Sequence, residues 1–204
     1  MSILTKILLV IFLVVIILIS LKLTTPPIRG GVDWDEMVID TLNVSHKLLD
    51  KDEFKHSELI EVIEFLTKNM NAKLRFVLKD KEQTKYTKAE LKQLFDCAKR
   101  TKNNIYVAIG KSTGKSHSNL GRDDACMLWL SYKHKVPIVS CDKFKDYKEL
   151  AKTVPFELHV MNGSKDTYKI KKIDEIILHP PMRLLDFCSD KFLLLRNDFV
   201  GRLS

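Results

Sequence analysis

Hydrophobic residues fall into three regimes along this chain: one unbroken run, several alternating runs, and several runs spaced like one face of a helix. The unbroken run comes first, Ile7 to Ile19, between Lys6 and Lys22. Only fifteen residues separate those lysines, fewer than the roughly 17–25 of a typical bilayer span. Lysine stems reach outward, however, and lengthen the usable segment at both ends. Lys22-Leu-Thr-Thr-Pro-Pro then offers no small-residue cleavage pattern, so the run predicts a retained N-terminal transmembrane helix over 1–24 rather than a signal peptide. Pro26-Pro27-Ile-Arg-Gly-Gly31 cannot continue that helix, and 25–35 reads as a linker.

The shorter runs alternate in type. Met37 to Ile39 predicts a strand ending at Asp40. Leu59, Ile60, Val62, Ile63 and Leu66 recur at helical spacing within Glu58–Met70. Leu74, Phe76 and Leu78 alternate within Lys73–Lys79, a second strand. An amphipathic helix over Tyr86–Arg100 and a third strand over Asn104–Ile109 follow. After a basic loop from Gly110 to Arg122, the apolar run Ala125–Leu130 predicts a buried helix. Asp123 and Asp124 open it and Lys133, His134 and Lys135 close it, as the helix dipole favours. Val136–Ser140 predicts a fourth strand, Phe156–Met161 a fifth, and Thr167–Leu178 a small hairpin at the sheet edge. Such alternation predicts an α/β domain over 36–180, a mostly parallel sheet flanked by helices. The apolar tail over 181–204 is left with three placements: on the domain, on a partner, or on the bilayer.

Charge and cysteine narrow the picture. With 34 Lys+Arg against 26 Asp+Glu the chain carries a formal charge of +8, which points to a polyanion, a membrane surface or a simply lysine-rich exterior. Lys22 and Arg29 outweigh Lys6, so the positive-inside rule puts the domain on the cytoplasmic side of its membrane. Cys97, Cys126, Cys141 and Cys188 have no C-x-x-C spacing. They read as reduced, packed thiols, neither a disulfide frame nor a zinc site.

The candidate chemistry is acidic. Asp40 ends the first strand, Asp123 and Asp124 open the central helix, and Asp142 follows the fourth strand with Asp146 one helical turn beyond. Each alone is an ordinary cap or strand-end residue. If the first and fourth strands are neighbours, the acids share the crevice at the carboxyl ends of the strands, where open α/β sheets bind ligands. Carboxylates so crowded take up protons or bind a hard cation, and oxygen-only donors favour Mg²⁺ or Mn²⁺ over zinc. Ile109-Gly110-Lys-Ser-Thr-Gly114-Lys115-Ser116 imitates a P-loop, but only three residues separate its glycines where four are needed. His46 and His117 read as surface residues.

Val38-Ile-Asp40-Thr-Leu-Asn43-Val44, the Asp123-Asp124 pair before an apolar helix, and Val139-Ser-Cys-Asp142-Lys-Phe-Lys-Asp146-Tyr147 together resemble the acidic signature of PIN-like/NYN ribonucleases. The similarity is greatest to the nuclease domain of the Regnase (CCCH-zinc-finger endoribonuclease) group, over roughly Glu36 to His179. Thr41 stands where that family usually has Gly, Cys141 where Asn is common, and no Cys₃His finger follows the domain. The resemblance implies a Rossmann-like PIN-type fold and a membrane-anchored endoribonuclease that hydrolyses RNA with Mg²⁺ or Mn²⁺. Asp40, Asp123, Asp124, Asp142 and Asp146 would be catalytic, with Asp40, Asp124, Asp142 and Asp146 on the metal and Asn43 and Ser140 in support. Lys111, Lys115, Arg122, Lys143 and Lys145 would meet RNA phosphates. An RNA-binding module with an inactive nuclease fold is the alternative, and homo-oligomer formation is left open.

Overall fold

The computed structural model describes residues 34–51, 55–79, 86–109, 122–145, 157–162, 166–171 and 181–203. The predicted anchor and most of the linker lie outside this set, as do Lys111, Lys115, Asp146 and His117. Among the described residues no helix is long and apolar enough to cross a membrane.

Five α-helices, one 3₁₀ turn (Asp190–Phe192) and seven strands are described: β1 (Glu36–Asp40), α1 (Thr41–Leu49), α2 (His56–Asn69), β2 (Lys73–Lys79), α3 (Lys88–Thr101), β3 (Asn104–Ile109), α4 (Arg122–His134), β4 (Ile138–Ser140), β5 (Glu157–Asn162), β6 (Asp166–Lys171), β7 (Leu184–Asp186) and α5 (Leu193–Leu203). They build one sheet in the order β6-β5-β3-β2-β1-β4-β7. The five strands from β3 to β7 run parallel. At the other edge β5 and β6 form an antiparallel hairpin on β3. The mixed α/β class and mostly parallel sheet are therefore as the alternation predicts.

Strand alternation explains how the sheet buries both faces. Met37, Ile39, Leu74, Phe76, Leu78, Ile105, Val107 and Val139 enter one core with residues of α1, α2, α3 and α5. Their neighbours Val38, Val77, Tyr106, Ala108 and Ile138 enter a second core with α4. Among the described residues one helix thus packs on one face and four on the other, each strand giving alternate residues to the two layers. Caps bound the helices. Asp40 accepts from the Asn43 amide at the start of α1, and Thr87 and Glu90 form a reciprocal capping box on α3.

The segment Thr41–Leu49, to which the sequence pattern assigns no element, is helix α1, with Val44 and Leu48 buried one turn apart. Two sequence expectations need correction. Residues 142–145 are not helical, because Phe144 turns left-handed at φ 47° to bury its ring in the α4 core. The cysteine reading fails for two of the four: Cys141 and Cys188 form a disulfide, while Cys97 and Cys126 stay free and buried. Spacing alone could not expose that pair, because it depends on β7 lying beside β4. A bridge over a sequence separation of 47 stabilises by about 3–4 kcal/mol on chain-entropy grounds.

The C-terminal residues belong to the domain. Strand β7 pairs with β4, Phe187 is fully buried, and Phe65 of α2 meets Phe199 of α5 edge-on at 4.8 Å. Replacing Phe187 by Ala is expected to lower unfolding free energy by about 3–5 kcal/mol. Chemical denaturation of the two proteins checks this, and an unchanged midpoint would mean that the segment does not support the core.

Candidate active site

Strand parity aims the site. Asp40, Ser140 and Lys79 all fall on the α4 side of the sheet, at the carboxyl ends of β1, β4 and β2. The amino end of α4 approaches the same rim and carries Asp123 and Asp124 in its first turn. Because β1 and β4 are adjacent while their connections run over opposite faces, the crevice between them is the topological switch point of the sheet.

Asp40 is the most enclosed acid, 6 % exposed. Ser140 Oγ donates to its Oδ2 at 2.6 Å, and the Asn43 amide donates to its Oδ1 at 3.2 Å. Ser140 Oγ also accepts from the Asp142 amide at 2.9 Å, so one hydroxyl joins the ends of β1 and β4. Asp142 itself is exposed, and its Oδ1 accepts from the Phe144 amide at 3.0 Å. Lys79 Nζ lies 3.8 Å from Asp123 Oδ1, the one cation paired with the cluster among the described residues.

The charges feel one another. Burial pushes the Asp40 carboxyl up to about 6; the bonds from Ser140 and Asn43 oppose this, and the charges of Asp123 and Asp142 add to it. Asp124 is pushed up to about 8 by burial and then by Asp123, Asp40 and Asp142, against the pull of Lys79. Asp40, Asp123, Asp124 and Asp142 are thus brought together as one electrostatic unit. Asp146 lies outside the described residues. The donor set is oxygen-only, partly desolvated and richer in carboxylate than its one lysine can balance, which is the chemistry a hard divalent cation offsets. Among the described residues, however, the one set of three potential ligand atoms within 4.8 Å of one another is Cys141, Asp186 and Cys188, not the aspartates.

The basic residues divide. Lys143 and Lys145 are exposed beside Asp142. Arg122 is instead buried, 4 % exposed, with Nε and Nη1 making no hydrogen bond, so it does not stand on the open surface that phosphate contact requires. His46 Nδ1 lies 2.8 Å from the Lys51 carbonyl oxygen. Lys79 was missed from sequence because an ion pair to a residue 44 positions on requires β2 and α4 to meet. No family model, curated protein or solved structure matches the chain.

Asp40 and Asp124 have folded-state values above the ordinary carboxylate value, so ionising them costs stability. The penalty sets in above about pH 4, growing up to about 6 for Asp40 and about 8 for Asp124. In EDTA, Asp124→Asn is therefore expected to melt above wild type at pH 8 and to lose that advantage near pH 4. Thermal melts across this range check the sign; an advantage that grows toward acid pH would contradict it.

Proposed function

We propose that the chain is a membrane-anchored, Mg²⁺- or Mn²⁺-dependent endoribonuclease on a Rossmann-like, PIN-type domain. The observation that carries the reading is the coupling of Asp40, Asp123, Asp124 and Asp142 at the switch point, where burial and mutual repulsion hold two acids above their ordinary range. Phosphodiester hydrolysis is the chemistry that such an oxygen-only cluster serves, and the acidic signature supports RNA as substrate. The long apolar run before Lys22 supports the anchor, and Lys22 and Arg29 support a cytoplasmic domain.

Asp40, Asp124, Asp142 and Asp146 are the residues that would hold the cation. Bound there, it would supply a water of lowered pKa and neutralise charge developing on the phosphate. Ser140 orients Asp40 through its hydroxyl and steadies the Asp142 backbone. The Asn43 amide fixes the other oxygen of Asp40. Asp124 gives up its proton as the site is loaded, so loading is favoured as pH rises toward 8. Lys143 and Lys145, exposed next to Asp142, can neutralise flanking phosphates without entering the reaction.

Labelled RNA incubated with the purified full chain, in Mg²⁺ or Mn²⁺ and again in EDTA, tests the reading. Cleavage should require the cation, and Asp142→Asn should lose it by on the order of 100-fold or more while the fold survives. RNA bound but uncut by wild type would favour the inactive binding module. An Asp142→Asn protein cleaving at the wild-type rate would remove the site assignment.

A further inference from the structure

We propose that the Cys141–Cys188 bond is a thiol–disulfide exchange site through which a dithiol reductant loosens the acidic site. Cys141 lies between Ser140, which bonds Asp40, and Asp142, whose amide bonds Ser140. Its partner Cys188 lies in the turn after β7. The bridge therefore ties the loop that carries Asp142 to the edge of the sheet.

Little else holds that side of the loop. Strands β4 and β7 pair over only three residues, Ile138 to Ser140 against Leu184 to Asp186. Two further bonds extend the ladder, from the Phe187 amide to the Ser140 carbonyl at the loop end and from the Ile138 amide to the Arg183 carbonyl at the other, each at 2.9 Å. On the inner side the loop is held by Ser140 Oγ and by the buried Phe144 ring. Opening the bridge thus frees one side of the loop and leaves the core anchor in place. Access fits the chemistry: Cys188 is exposed and Cys141 half-buried, whereas the other two thiols, Cys97 and Cys126, are buried. A reductant thiolate attacks Cys188 Sγ, the S–S bond breaks, and Cys141 leaves as a thiolate that takes up a proton. The second thiol of the reductant then closes on the mixed disulfide and releases Cys188. Two electrons pass from the dithiol, which ends as a disulfide, and the protein ends with two thiols.

Loosening is read by hydrogen exchange in the full chain, before and after treatment with dithiothreitol. Exchange in 138–145 is expected to quicken by about tenfold or more, with 73–79 at the sheet centre unchanged. Cys188→Ser should reproduce this without reductant. It also removes soft-metal capture by freed thiols, since both sulfurs and the Asp186 carboxylate lie within 4.8 Å of one another. No change in 138–145 would overturn the proposal, and so would equal quickening of both segments, which would make the bridge a staple of the whole fold. The consequence for metal rests on the proposed function: Mn²⁺ affinity should fall by about fivefold or more in Cys188→Ser. Absence of Mn²⁺ binding in both redox states would refute the reading of the acidic site, while hydrogen exchange would still decide the role of the bridge.

Discussion

Burial of carboxylates at the ends of neighbouring strands, added to by their mutual repulsion, is the constraint around which the site is arranged. Asp40 is nearly enclosed, yet Asp123 and Asp142 press their charges on it. Such an arrangement is unfavourable unless protons, hydrogen-bond donors or a cation offset it. The protein supplies the first two: Asp124 retains its proton toward neutral pH, and Ser140 and the Asn43 amide clasp Asp40.

That cluster requires β1 beside β4, and the adjacency rests on the division of the sheet into two cores. Among the described helices α4 is the one that packs on this face, bringing its amino end to the rim where β1, β2 and β4 finish. The other four described helices pack on the opposite face, and of them α1 meets the acidic cluster through the Asn43 amide. Ser140 joins the two strands at that rim, since its hydroxyl donates to one acid and accepts from the backbone of another. A residue without a hydroxyl would leave Asp40 less well satisfied in a buried setting.

The C-terminal segment enters the same system from the far edge. Strand β7 extends the parallel sheet past β4, and Phe187, Phe192, Leu195 and Phe199 join the larger core. Leu193, Leu194, Val200 and Leu203 remain exposed on α5. The edge strand is short, and the disulfide at Cys188 fastens the turn beyond it to the loop after β4. Site and C-terminal segment are thereby mechanically linked, although Asp142 and Asp186 are 44 positions apart in sequence.

Local pattern was enough for β1 to β3, for α2 to α4, and for the placing of acids at strand ends and at a helix start, because periodicity and capping act within a few residues. It also placed β4 with Asp142 just beyond it. Adjacency of β1 and β4, burial of Arg122, the Lys79–Asp123 pair and the Cys141–Cys188 bond were all decided by tertiary structure. Each joins residues far apart in sequence, and nothing in either local stretch records the partner. Helix α1 is the exception, since Asp40 as cap with Val44 and Leu48 one turn apart carried a legible signal. The left-handed Phe144 is the opposite case: a non-glycine residue adopts that backbone only where burial of its ring in the α4 core offsets the strain, and such a core exists only once the chain has folded.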